Sequence, residues 1–244
     1  AQLISIIIRR VMMYKVFFTQ EMRQHLNAAT AQDARPILSA IVPNAVKVGL
    51  TQLGGFCVNK SSIFIGSAFL TLEQMGCFGI TMQVMDVLVR CSTIYYQSIS
   101  PKLAQYRAQN EMGALRQSYL YNVIIVLGTF VGVGLSWIFL GDWALGLIHS
   151  KTYFVPTAML AVMLVISWLE QNHATAAGFI MADNRIPFFI PSLVSGAATL
   201  LLLWLFVGPM GLGLWGLILA PGIAQIAYQN WKWPLQVIKE LKSK

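Results

Sequence analysis

Five ionisable side chains, Lys60, Asp86, Arg90, Glu170 and His173, fall near the middle of apolar runs that are each long enough to cross a bilayer. A charge at that depth costs about 2.5 to 3.5 kcal/mol on insertion scales, so such residues face a protein interior or a water-filled cavity and mark the path of an ion or substrate. Lys60 lies about 10 residues, or about 15 Å, from the outer end of its run near Leu70. It has no acid within four residues, so Asp86, Glu170 or an anionic substrate must compensate it. Asp86 and Arg90 are one helical turn apart, which allows either an in-helix ion pair that only fixes packing or a contact to substrate. Glu170 and His173 share a helix face near mid-depth, with Gln171 and Asn172 alongside. Glu170 reads as a protonatable site, because a buried carboxyl without a cation is far costlier charged than neutral. His173 fits the same role or that of a hydrogen-bonded core residue. Glu170-x-x-His173 is half of a di-metal carboxylate pattern, but no second Glu-x-x-His follows, so no metal or other cofactor is expected.

These groups need membrane helices to hold them. Hydrophobic residues make up 57% of the chain and charged residues 11%, against about 25% charged in soluble domains. Mean hydropathy is +0.64. The class is all-α, a polytopic transmembrane bundle. A net charge of +8 does not imply nucleic acid, because the cations sit between apolar runs without an interleaved basic and aromatic patch. Anionic lipid and anionic substrate fit better. Cys57, Cys77 and Cys91 have no CxxC spacing and read as reduced structural thiols. The sequon Asn59-Lys60-Ser61 falls inside a span, beyond any glycosyltransferase. There is no GxSxG, HExxH, P-loop or aspartate-rich motif, and no long polar loop, so an enzyme is not expected.

Six runs meet the requirement of about 20 apolar residues, near 40–70, 76–99, 117–140, 156–181, 187–208 and 211–232. They divide the chain into an end of a preceding helix with a cytoplasmic linker (1–36), a six-span lobe (37–233) and a basic tail (234–244). The apolar stretch from Ala1 to Ile8 stops at Arg9-Arg10, as the tail of an earlier span would, so the sequence is expected to be the second part of a longer protein. Alternate connections carry thirteen Lys and Arg against one, Lys151, on the other side, which puts both ends in the cytoplasm. Lys47 reads as a snorkelling anchor. Trp143, Tyr153 and Phe154 outside and Tyr228, Trp231 and Trp233 inside suit two aromatic belts. An interfacial helix is expected over residues 9–36, and a second opening at Ser100-Pro101. Pro43 allows a bend in the first span, and Pro187 a first-turn position. Gly208-Pro209-Met210-Gly211 makes a tight turn. Gly128 and Gly132 form a GxxxG pattern suited to close helix contact. Pro191 and Pro221 interrupt the last two spans.

Three stretches carry a family resemblance: Leu53-Gly54-Gly55-Phe56-Cys57-Val58-Asn59-Lys60-Ser61-Ser62-Ile63-Phe64-Ile65-Gly66, Leu72-Glu73-Gln74-Met75-Gly76, and Tyr95-Tyr96-Gln97-Ser98-Ile99-Ser100-Pro101-Lys102-Leu103. Together they resemble the start of the second lobe of O-antigen flippases, polysaccharide transporters of the multidrug/oligosaccharidyl-lipid/polysaccharide exporter superfamily. The resemblance implies two six-helix lobes around a central cavity, rocking in alternating access. It implies as substrate an undecaprenyl-diphosphate-linked oligosaccharide, moved across a bacterial inner membrane, and as partners the N-terminal lobe of the same protein, the bilayer and the polysaccharide assembly machinery. On it, Lys60, Arg90, Asp86 and Asn59 form the substrate-binding set, the two cations attracting a diphosphate or acidic sugar. Glu170 and His173 form the ion-coupling set. Many members carry an acid where this chain has Ser61-Ser62, so ion coupling is not assigned there. The rival readings are a drug or metabolite antiporter of the same superfamily, which would want an acidic cavity, and a membrane-embedded polysaccharide polymerase, which would want a large periplasmic loop.

Overall fold

The computed structural model describes residues 2–17, 31–147, 149 and 152–242, and among them the regular elements are all helical. They are α1 (Gln2–Phe17), α2 (Ala31–Phe69), α3 (Leu72–Ala108), α4 (Met112–Leu147), α5 (Thr157–Met181), α6 (Phe189–Val207), α7 (Leu214–Ile226) and α8 (Gln229–Lys242). The chain divides into two units, residues 1–46 and 47–244, with the boundary inside α2. In the first unit α1 runs through Arg9-Arg10 to Phe17 rather than ending with the apolar run. Residues 18–30, the middle of the expected interfacial helix, lie outside the described residues, as do Lys151 and Lys244.

Among the described residues four helices are long and apolar enough to cross a membrane: Arg35–Phe69, Leu72–Ala108, Met112–Gly141 and Phe189–Val207. Two expected spans differ from these for physical reasons. α5 has 25 residues, ample length, but Glu170-Gln171-Asn172-His173 dilutes its second half. The run expected over 211–232 breaks at Ala227-Tyr228, leaving α7 with 13 residues, about 20 Å of helix, followed by α8.

Local chemistry sets most of the turns. Thr71 caps α3 in a capping box with Gln74, two otherwise orphaned amides being satisfied reciprocally. No separate helix begins at Ser100-Pro101; α3 continues through Pro101 to Ala108. Asn110 then takes φ 59°, a left-handed turn that short amide side chains tolerate. Pro187 precedes the α6 cap at Phe188, and Pro191 falls in the first turn of α6, where a missing N–H costs little. The turn at Gly208 closes as expected, Met210 N–H donating to Leu205 O (3.0 Å) and Leu212 N–H to Phe206 O (2.8 Å).

In the larger unit, α5 touches α3, α4, α7 and α8, while α3 pairs with α4 and α6 with α7. Two apolar cores result. One holds Phe78, Met85, Leu88, Phe130, Trp137, Met163, Leu203 and Leu217. The other holds Leu103, Leu115, Tyr119, Phe179, Ile180, Phe188, Trp233 and Val237. Along α3 to α8, buried Ser92, Asn122, Gln171, Ser195, Gln225 and Gln229 fall in the sequence between the contributions to the two cores. This polar waist is where the expected mid-span charges belong.

The expected GxxxG does not sit at a close helix approach. A Cβ on Gly128 or Gly132 would meet nothing, whereas one on Gly54 would collide with the Ser192 backbone, and Gly196 packs on Cys57 and Gly54. Glycine is needed where α2 crosses α6. Trp233, expected in an aromatic belt, is a core residue, only 3% exposed, with its indole edge-on to Phe188. Trp143, Tyr153, Tyr228 and Trp231 are exposed as a belt requires.

Candidate functional site

A cavity of about 290 Å³ opens at the waist, between α2, α3, α5 and α7. Its walls are largely apolar, built from Phe78, Met82, Met85, Met163, Ile166 and Leu217, with Asn59, Lys60, Ser62, Asp86, Ser167, Glu170 and Gln171 supplying the polar groups. A few convergent polar groups in an apolar concavity are the usual make-up of a ligand site.

α2 and α3 meet through charge. Lys60 Nζ donates to Asp86 Oδ2 at 3.2 Å, and the two side chains remain 40% and 48% uncovered by this chain. Of the three compensating groups expected for Lys60, Asp86 is therefore the one in contact. The in-helix Asp86–Arg90 pair is not formed: among the described residues Asp86 is bridged to Lys60 only. Arg90 is exposed and lines no part of the cavity. On α5, Glu170 faces the cavity and is approached by Asn59. The Asn59 amide also donates to Gly55 O at 3.0 Å. His173, one turn further along, leaves the cavity and meets Asn230 Oδ1 through Nδ1 at 3.1 Å, tying α5 to α8. That is the core-residue alternative, and it separates His173 from Glu170.

The structure therefore gathers Asn59, Lys60, Asp86 and Glu170 and leaves out Arg90 and His173. Two carboxylates face one ammonium there. Low-dielectric walls strengthen each of these interactions relative to water. Glu170 is the carboxyl left without a cation of its own, so it can hold or exchange a proton, and any anion reaching Lys60 must compete with Asp86.

Sequence reasoning missed Ser62. Pro221 has no N–H, so the Leu217 carbonyl one turn back loses its helical donor. Ser62 Oγ supplies the replacement, donating to Leu217 O at 3.1 Å. A buried hydroxyl on α2 thus repairs the proline break in α7 and fixes two walls of the cavity to each other. The signal was readable in principle, since a proline within an apolar helix leaves a carbonyl in want of a donor from a neighbour.

A second charged cluster lies at the other core, where α3 ends. Arg107 reaches Asp183 (3.0 Å) and Glu240 (3.8 Å), while Arg185 reaches Asp183 (2.7 Å) and Glu240 (2.8 Å). Arg107 also stacks on Phe179, 4.5 Å from the ring centroid. Burial works against the charge on Arg185, but the Glu240 hydrogen bond and the two carboxylates more than offset it and hold its guanidinium above the ordinary range. Two cations meet two anions, so the cluster braces α3, the α5–α6 turn and α8.

Compared with protein-family models, with curated proteins and with solved structures, the chain matches none of them.

Proposed function

We propose that this chain is the second lobe of a polytopic exporter that works by alternating access, its six-span arrangement completed by α5 and by α7 with the start of α8. The substrate is an undecaprenyl-diphosphate-linked oligosaccharide carried across the bacterial inner membrane. The observation that carries the reading is the convergence of Lys60, Asp86 and Glu170, from three apolar helices, on one cavity. Charges at that depth are retained where an ion or substrate passes. At about 290 Å³ the cavity has the size of a subsite for a headgroup or an ion rather than for a whole oligosaccharide. In this scheme Lys60 attracts the diphosphate when Asp86 releases it, and Glu170 takes and gives up the coupling proton. Arg90, outside the cavity, has a lesser part.

The antiporter reading is favoured by one observation, the two carboxylates facing a single cation, which suits a cationic substrate. One experiment separates the two. The full-length protein carrying Lys60→Ala is expected to insert normally yet fail to restore surface polysaccharide in a strain lacking its flippase, with Glu170→Gln abolishing the pH dependence of transport in vesicles. Normal polysaccharide from Lys60→Ala, together with loss of cationic-dye efflux in Glu170→Gln, would overturn the flippase reading for the antiporter.

A further inference from the structure

α8 presents two faces of different chemistry. Trp233, Val237 and Leu241, at four-residue spacing, are buried in the second core, and Trp233 stacks edge-on to Phe188 at 5.7 Å. Glu240 anchors the same side to Arg185 through both carboxylate oxygens, at 2.8 and 2.9 Å. The helix is therefore fixed in rotation. Its other face carries Trp231, Leu235 and Ile238, 48%, 48% and 44% exposed, preceded by exposed Tyr228. At 100° per residue Lys242 falls on that same side, and Lys239 and Lys232 flank it along one edge. Among the described residues none of these lysines takes part in a salt bridge, and the one acid of the helix, Glu240, is turned inward. A face of large apolar side chains with lysines and no acid has the composition of an interfacial helix on anionic headgroups.

We propose that the outward face of α8 is a lipid-recognition surface: Trp231, Leu235 and Ile238 seat at the acyl boundary while Lys232, Lys239 and Lys242 bind the phosphates of an anionic phospholipid leaflet. The inference rests on the membrane reading but not on the transported substrate. Charge complementarity selects the occupant, since juxtamembrane lysines are attracted to anionic lipid and the attraction is short-ranged. Residues 231–233, expected from sequence in the six-span lobe, and 234–242, expected in the basic tail, form on this reading one docked recognition element.

The test uses the full chain reconstituted in vesicles of phosphatidylcholine with or without phosphatidylglycerol, after extraction at alkaline pH has verified insertion. The difference in fluorescence between wild type and Trp231→Phe is expected to be quenched by lipid brominated near the headgroup. Enrichment of spin-labelled phosphatidylglycerol around the protein is expected to fall in the Lys232→Gln, Lys239→Gln, Lys242→Gln triple variant, by roughly fivefold per lysine if each acts at the surface. Inserted protein whose Trp231 is unquenched in every vesicle would assign this face to water or a protein partner and overturn the proposal. Unchanged lipid enrichment in an inserted triple variant would overturn the lysine role. Failure of the wild type to insert would instead overturn the membrane reading itself.

Discussion

Two charged clusters in this chain are built on opposite principles. At the end of α3, two guanidinium groups and two carboxylates close on one another, and one of the arginines is additionally packed on a ring. At the waist, one ammonium faces two carboxylates across a cavity, and its single ion pair is nearly half uncovered on both sides. A balanced cluster has no electrostatic reason to bind anything else. A site with an extra carboxyl group in apolar walls does, because that group is costly to ionise until a cation or ligand arrives and so can take up or release a proton. Charge balance, rather than the number of charged residues, separates the brace from the site.

The contrast can be broken most severely at the waist. Asp86→Asn would leave Lys60 unpaired within an apolar span, at a cost of about 2.5 to 3.5 kcal/mol on insertion scales, so a sharp fall in the membrane-inserted yield is expected. An inserted fraction equal to wild type would mean that Glu170 or lipid takes over the ammonium. Gly54→Ala should come next, since the added methyl meets the Ser192 backbone and must push α2, which carries Lys60, away from α6. Overpacking of this kind costs about 1 to 3 kcal/mol, readable as a lower thermal midpoint in detergent, whereas Gly128→Ala, with open space around it, should leave the midpoint unchanged or raise it. Arg107→Ala removes the Asp183 contact and the Phe179 stacking and should destabilise by about 1 to 2 kcal/mol and, on the proposed exporter reading, leave transport per inserted molecule intact. A transport defect exceeding the stability defect would make the brace part of the machinery.

The smallest effect lies outside both clusters. Tyr153 Oη donates to Glu73 Oε1 at 2.8 Å, and this hydrogen bond, with the carboxylate's charge, raises the phenol above its usual range. A raised folded-state value means that the contact contributes fully below the ordinary tyrosine range and is lost as pH rises through the raised one. Tyr153→Phe should therefore lower the midpoint slightly at neutral pH, and the difference should vanish in strong alkali. A constant difference would assign the effect to packing.

Apolar length and patterning determined much of this from sequence alone. The helical class, the positions of α2 to α6, the Gly208 turn and the mid-helix placement of Lys60, Asp86 and Glu170 follow from hydropathy and helical rise, which are local properties. So does the rejection of charges as mere decoration, because the cost of burying them needs no partner to be known. The break between α7 and α8 was less visible, since no glycine or proline stands at Ala227-Tyr228 and the flanking Gln225, Gln229 and Asn230 also suit the polar interior of a span.

Tertiary structure decided which groups meet. Lys60 and Asp86 are 26 residues apart, and sequence could place both mid-helix but could not rank Asp86 above Glu170 as the partner of Lys60, or Lys60 above Arg90 as the partner of Asp86. Depth is one coordinate, whereas pairing also needs the rotation of each helix about its axis, which packing sets. The same missing angle explains why Arg90 and His173 turn away from the cavity, why Gly54 rather than Gly128 lies at the close crossing, and why Ser62 finds the carbonyl that Pro221 leaves open.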